Sequence, residues 1–240
     1  MNQNQTLLMW LEGPLQSWGC DSRYGRRESL SFPTKSGVEG LICAALGAKG
    51  PQDELLQILA SYPMKVIAYQ VPGQPQEFMR DFQTVGNGYD SKDPFELLFI
   101  PKTSEGKNAV GGGSKITYRY YLQGMAFAVL LELPMDLSEI VSQALIEPVY
   151  FLSLGRKSCA PSDWIYQGTF STRGEAEITA EQVAARKHLS RCFSVIEGQY
   201  PEDGEVLVLN DVASRFGKQK QYVQRFVTIV ASSDEEPATD

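Results

Sequence analysis

The chain has 240 residues, 42% of them hydrophobic, enough to bury a full core as one domain or as a domain with a smaller partner. Its formal net charge of -7 argues against indiscriminate binding along nucleic acid, which needs positive charge facing many phosphates. No apolar run approaches membrane-spanning length, and Met1-Asn2-Gln3-Asn4-Gln5 lacks the charged and apolar regions of a signal peptide, so a cytoplasmic protein with no membrane partner is expected.

Thr6 to Leu11 is short, mostly apolar and stopped by Gly13-Pro14, the pattern of a buried strand running into a turn. A polar loop carrying Arg23, Arg26 and Arg27 then leads into Pro33-Thr34-Lys35-Ser36-Gly37. Apolar residues recur at Val38, Leu41, Ile42, Ala45 and Leu46, one face of a helix that Gly47 is placed to end. Ser36 followed by Glu39 has the spacing of a capping box. The unpaired amides of that helix start, with Lys35 beside them, predict an anion site.

Leu55, Leu56 and Leu59 predict a second helix over Asp53 to Ala60, and Met64 to Val71 reads as a strand between Pro63 and Pro72. From about Gly73 to Gly124 the chain is polar and too long for a bare connection, so an insertion with its own role is expected. Gly111-Gly112-Gly113-Ser114 would give it a flexible tip. Lys115 to Leu122 alternates, with Lys115, Thr117, Arg119 and Tyr121 on one face and Ile116, Tyr118, Tyr120 and Leu122 on the other. Two readings fit that alternation. One is a half-buried hairpin with a wet side. The other is a clamp whose basic and hydroxyl face holds a phosphate backbone while an aromatic or apolar side chain at its tip wedges between bases.

Ala126 to Leu133 is a buried strand, and Leu137, Ile140, Val141, Ala144 and Leu145 mark an amphipathic helix opened by Pro134 and Asp136. Pro148 ends it, and Val149 to Leu152 is expected to be the next strand. The order β, α, β, β, α, β is the split βαβ arrangement, which predicts an α+β fold with a ferredoxin-like (RNA-recognition-motif-like) first domain. The expected organisation is a palm over 1–160 with the insertion 73–124, a small mainly β lobe over 161–231, and an acidic disordered tail over 232–240. In the lobe, Glu205 to Leu209 and Tyr222 to Val230 read as strands, with Arg215, Lys218, Lys220 and Arg225 forming a basic patch. A helix over Thr179 to Leu189 would carry His188.

The chemistry-bearing residues argue for binding rather than catalysis. Cys20, Cys43, Cys159 and Cys192 form no C-x-x-C pair and there is a single histidine, so no metal site, disulfide framework or cofactor is expected. Lys35-Ser36 lacks the glycines of a nucleotide-binding loop, and no G-x-S-x-G elbow is present. Metal-independent RNA cleavage usually needs a base near neutrality, and His188 lies on a helix surface where a partner-facing role is expected. Tyr24, Lys35, Lys115 and Tyr121 keep a metal-independent endoribonuclease as an alternative, and a phosphate-ligand-binding enzyme is the third reading.

Gly13-Pro14-Leu15-Gln16-Ser17-Trp18-Gly19, Pro33-Thr34-Lys35-Ser36-Gly37, Arg80-Asp81-Phe82-Gln83-Thr84-Val85 and Leu152-Ser153-Leu154-Gly155-Arg156-Lys157-Ser158-Cys159 stand in one order. In these motifs the chain resembles the CasD family, subunits of the type I-E CRISPR Cascade complex, over roughly residues 6 to 160. The resemblance implies a palm with a long hairpin thumb that grips the 5′ handle of the CRISPR RNA and caps the backbone filament, without catalysis. The implied partners are that handle, the Cascade backbone subunit and the Cascade large subunit, with target DNA met only through the complex.

By motif, Gln16, Trp18 and Gly19 would line the handle groove, and Lys35, Ser36 and Gly37 would meet its phosphates. Arg80, Phe82, Gln83 and Thr84 would lie where palm passes into thumb, and Gly155, Arg156 and Lys157 would close the groove from the side. Some relatives carry histidine where this chain has Gln83, whose amide can bond a base edge but cannot titrate. Trp18 also fits a core position with its N–H satisfied, and Gly155 also fits a simple turn.

Overall fold

The computed structural model describes residues 4–19, 25–85, 90, 92–100, 102–108 and 115–232. At its centre β1 (Asn4–Glu12) pairs antiparallel with β6 (Met125–Pro134) over the whole length of β1, from Asn4 opposite Pro134 to Glu12 opposite Ala126. Both strands are near-continuous apolar runs because helices cover both faces of their sheet. Leu7, Met9 and Leu11 point into the core beneath α1 (Lys35–Ala45) and α4 (Met135–Ile146), together with Val38, Ile42 and Val141. Leu8 and Trp10 point the other way, onto Ala176, Ala180 and Val183 of α5 (Arg173–Arg186).

The main sheet has seven strands in the order β7-β1-β6-β3-β8-β10-β9, with β3 (Met64–Gln70), β7 (Tyr166–Phe170), β8 (Ser190–Glu197), β9 (Glu205–Arg215) and β10 (Gln221–Ala231). Every pairing within it is antiparallel. The helix α2 (Asp53–Ala60) packs on β9. The mixed α+β class expected from the sequence is present. Among the described residues no helix is long and apolar enough to cross a membrane.

A second sheet rises from the first. Its strand β4 (Glu77–Val85) pairs antiparallel with β5 (Lys115–Gln123), and the two-residue β2 (Arg26–Arg27) joins β5 in parallel. The insertion is therefore a long hairpin at its base, with α3 (Pro94–Phe99) between its strands in sequence and capped by the Asp93 side chain on the Phe95 amide. The glycine-rich tip expected at 111–114 lies outside the described residues, as do Arg23, Tyr24 and the tail from 233 onward.

Four expectations change. Val149 to Leu152 forms no strand: the Val149 and Tyr150 amides donate to Ala45 O and Ala44 O at 3.0 and 3.2 Å, so this segment satisfies the last carbonyls of α1. The strand that follows α4 is β7, on the outer edge of β1. Residues 161–231 do not stand apart as a small lobe, because β8 hydrogen-bonds β3 and carries β10 and β9 onto the same sheet. The last helix starts earlier than expected, at a capping box of Thr172 and Glu175, and ends before His188, which has a φ of 56°.

The capping of α1 is also different. Thr34, not Ser36, caps the helix, its Oγ1 accepting from the Gly37 amide at 3.2 Å. Glu39 does not turn back to a capping box. It is buried, and its Oε2 accepts from the Ala213 amide on β9 at 2.9 Å.

Candidate nucleic-acid interface

The segment after β1 is clamped at consecutive residues, which makes it a fixed floor. Gln16 bridges Leu122 of β5 through two backbone bonds of 3.0 and 2.8 Å, the Ser17 amide donates to Leu154 O at 3.0 Å, and Trp18 O accepts from the Leu30 amide at 2.8 Å. The Gln16 side chain is fully buried, its Nε2 donating to Met125 O at 2.7 Å while its Oε1 accepts from Trp18 Nε1 at 3.1 Å. Gln16 and Trp18 are thus core residues whose polar atoms satisfy each other, and neither presents a side chain to solvent. Gln16 therefore lies beneath the groove, while Trp18, although buried, lines its floor.

Two glycines let the neighbouring elements approach that floor. A Cβ on Gly37 would sit 2.8 Å from the Trp18 ring, so the first turn of α1 rests directly on the indole. Gly155 has a φ of +91°, and a Cβ there would meet Ser17 O at 1.8 Å. The 153–157 turn therefore lies against the Ser17 backbone and aims Arg156 at the thumb root. Its Nη1 donates to Tyr120 O at 3.2 Å, its Nη2 to Arg27 O at 2.8 Å, and its guanidinium carbon lies 4.7 Å from the Tyr121 ring centroid.

These contacts enclose a groove of about 600 Å³ bounded by Gly19, Arg27, the Ser36–Gly37 turn, Arg156 and a wall from the β9–β10 turn. The wall supplies Phe216, Lys220 and Tyr222. Arg27, Arg156 and Lys220 line the groove against Glu28, which itself pairs with Arg26 at 2.9 Å. The groove is open and cationic, with a helix start at one side. Gly19, Arg27, Ser36, Gly37, Gly155 and Arg156 are brought together here, and the fourth wall is one that the four motifs do not include. The Gly217-Lys218-Gln219-Lys220 turn between two apolar runs was the signal for it.

Lys35 does not meet the groove. It is 2% exposed, and its Nζ donates to Ala60 O, Tyr62 O and Glu197 Oε1 at 3.1, 2.8 and 2.9 Å. Its backbone amide, the first of the helix, donates to Asp211 Oδ2 at 2.8 Å. The anion expected at the start of α1 is thus supplied from within, by a buried aspartate of β9. Arg225 completes the cluster with Asp211 and Glu197, each at 2.7 Å, so it and Arg215, which pairs with Asp53, leave the expected basic patch. Lys218 and Lys220 remain exposed.

The base of the β4–β5 hairpin has two unlike faces, set by its register. Arg119 and Tyr121 share a side with Arg27, Gln83 and Thr117, and Asp81 stands directly opposite Arg119 and accepts from Gln83 at 2.7 Å. Lys115 pairs with Val85 in the β4–β5 register. Tyr121 is almost fully buried: burial alone raises its phenol, but hydrogen bonds with Ser158, Arg156 and Arg119 outweigh it and bring the phenol below its ordinary value. The other face carries Phe82 opposite Tyr118, Arg80 opposite Tyr120 and Thr84 opposite Ile116. Phe82 and Tyr118 are 54% and 37% exposed with ring centroids 5.5 Å apart, and Arg80 and Arg26 lie over Tyr118 and Tyr120 at 5.8 and 5.6 Å. The face carrying Phe82, Tyr118 and Tyr120 presents rings and guanidiniums to solvent. Lys157 is exposed on the turn beside Arg156.

Among the described residues no three His, Cys, Asp or Glu side chains converge as metal ligands. The family model described as CRISPR-associated protein (Cas_Cas5) matches residues 6–228, nearly the whole chain. The chain belongs to this Cas5 family. It is 29% identical over 171 residues to the CRISPR system Cascade subunit CasD of Escherichia coli (strain K12), covering 68% of this chain and 70% of that protein. Its fold is similar to a chain of a CRISPR RNA-guided surveillance complex, with a TM-score of 0.66 and 23% identity over 95% of this chain and 90% of the other. A solved Cas protein aligns with a TM-score of 0.54 at 26% identity, over 94% of each chain. The Cas5 match and the likeness to CasD agree with the resemblance carried by the four sequence motifs.

Proposed function

We propose that this Cas5 protein is a non-catalytic RNA-binding subunit of a CRISPR Cascade complex that holds the 5′ handle of the guide RNA in the groove between α1, the thumb root and the 153–157 turn. The observation that carries this reading is the cationic groove itself, where Arg27, Arg156 and Lys220 converge beside the start of α1. A single strand there meets fixed positive charge, and the exposed Phe82 and Tyr118 rings of the thumb offer bases a stacking surface. The strand order β7-β1-β6-β3, with α1 and α4 on one face, supports a ferredoxin-like palm with the β4–β5 hairpin as its thumb. The backbone subunit and the large subunit of the complex are its proposed protein partners, and target DNA is reached through them.

Binding rather than cleavage is supported by the state of three candidate bases. Lys35 is held by two carbonyls and a carboxylate, Tyr121 is almost fully buried, and His188 follows α5 on the face of the sheet opposite α1. The phosphate-ligand enzyme loses its main support because Asp211 occupies the first amide of α1.

The test is direct. The full chain, without metal, is titrated with labelled repeat-derived RNA and with a scrambled RNA of equal length, and the RNA is then run on a denaturing gel. Preferential binding of the repeat-derived 5′ segment, with the RNA intact, is expected. Cleavage at one position would restore the endoribonuclease, and equal binding of both RNAs would remove the handle assignment.

A further inference from the structure

On the far side of the 153–157 turn lies an apolar surface that the groove does not use. Two adjoining depressions of about 970 and 800 Å³ share Ile146 and Val149 and run along α4 and the segment that follows it. Phe151 is fully exposed and Trp164 is 75% exposed, and Ile140, Ile146 and Val149 are also turned to solvent. An apolar area of this kind marks an interaction site.

The backbone beneath these side chains is anchored. Val149 and Tyr150 are tied to the end of α1, the Ser162 amide donates to Glu12 O at 2.8 Å, and Ile165 O accepts from the Trp10 amide at 2.7 Å. A segment fixed at both ends presents Phe151 and Trp164 in set positions, as aromatic anchors of an interface are presented. Gly47 makes room for this, since a Cβ there would meet the Val149 side chain at 2.7 Å.

Charge selects the occupant. The lining of both depressions contains Glu139, Glu147 and Asp163 and no lysine or arginine. Asp163 is paired with Lys187 at 2.8 Å, whereas Glu139 and Glu147 have no ion-pair partner among the described residues. The acidic rim along α4, formed by Glu139 and Glu147, repels a phosphate backbone or an anionic lipid surface; at the Trp164 end Lys187 is held by Glu12 and Asp163, with Arg186 beside it. The rim also repels a second copy of this chain, because a two-fold interface would bring the same carboxylates together.

From this we infer that the Phe151–Trp164 surface docks a segment of another protein subunit, one that presents apolar side chains flanked by lysine or arginine. The inference rests on the reading of this chain as a subunit of a larger complex, and it assigns that contact to a face separate from the RNA groove. The docked subunit sits beside the turn that carries Arg156, next to the bound strand.

The experiment uses the full chain co-expressed with the proteins encoded beside it, with Phe151→p-benzoylphenylalanine as a photocrosslinker in a side chain that touches solvent only. Mass spectrometry is expected to find the crosslink on one segment of a different protein, with apolar residues flanked by Lys or Arg. The paired variant Phe151→Ser with Trp164→Ser should lower incorporation of the chain into the complex by about tenfold while its RNA affinity stays within about twofold of the unaltered chain. Crosslinks to RNA or to a second copy, no protein crosslink in an assembled complex, or unchanged incorporation of the paired variant each overturn the inference. RNA binding measured on the same samples reports separately on the groove.

Discussion

The backbone amide of Lys35 and the carboxylate of Asp211 lie 2.8 Å apart, joining the first residue of α1 to a strand 176 positions away. The same carboxylate takes two hydrogen bonds from Arg225, and Arg225 and Lys35 share Glu197. The start of the helix is thereby held in the register that rests Gly37 on Trp18 and presents Ser36 to the groove.

Asp211→Ala should therefore unfold the protein more easily than any surface change. It leaves a buried guanidinium short of a partner and an amide unsatisfied, at a cost of about 3–5 kcal/mol. Urea denaturation measures this, and Asp53→Ala, which removes only the exposed partner of Arg215, should leave the midpoint almost unchanged.

Stability should fall as pH rises from about 4.5 to about 7. Burial pushes the Glu39 carboxyl up to about 7, with the nearby Asp211 charge acting in the same direction against the Ala213 amide and Lys35. The folded state therefore holds a proton that the unfolded chain has released, so this contribution is intact below the unfolded value and lost as pH rises through the folded one. The loss amounts to about 3 kcal/mol at most. Glu39→Gln should flatten that part of the Tm-against-pH curve; an equal slope in both proteins would refute the assignment.

Gly155→Ala should cost about 3 kcal/mol, because it combines a left-handed backbone with a collision against Ser17 O. Gly37→Ala should cost about 1–2 kcal/mol and change the near-ultraviolet circular dichroism, since the new methyl presses on the Trp18 ring. Gly174→Ala meets nothing and should be neutral or stabilising by a few tenths of a kcal/mol.

Arg27→Glu with Lys220→Glu should weaken RNA binding and make its salt dependence shallower, by about 0.7 for each single-strand phosphate that is no longer neutralised. Anisotropy titrations across salt concentrations read both effects. An unchanged slope would place the strand elsewhere.

Phe82→Ala should leave thermal stability nearly untouched, as the ring is half exposed, yet cost about 1–3 kcal/mol of RNA affinity if a base stacks on it. Equal affinity of the two proteins would return the thumb's aromatic face to a protein contact.

Much of this could be seen in the chain beforehand wherever neighbours in sequence decide the outcome. The runs at Leu7 to Leu11 and Ala126 to Leu133, the helical spacing from Val38 to Leu46, and the alternation from Lys115 to Leu122 depend on local pattern, and each matches an element. The turn glycines Gly47 and Gly155 were legible for the same reason. Lys35 was misread because its position beside a helix start gives no hint that Ala60, Tyr62 and Glu197 converge on its ammonium. Val149 to Leu152 has the composition of a strand, and the end of α1 diverts it by taking the Val149 and Tyr150 amides on Ala45 O and Ala44 O.

Sequence alone carried the α+β class, the presence of a long insertion and, through the order of four motifs, the resemblance to the CasD family with which the Cas5 match agrees, because hydrophobic period and motif order are properties of the chain itself. The tertiary structure decided which cations face the groove and which are consumed inside, turned the aromatic side of the β4–β5 hairpin outward, and joined residues 161–231 to the main sheet. Those outcomes depend on contacts between residues more than a hundred positions apart, such as Lys35 with Glu197 and Ala213 with Glu39. Burial and pairing are set by what packs opposite a side chain, and no local pattern contains that.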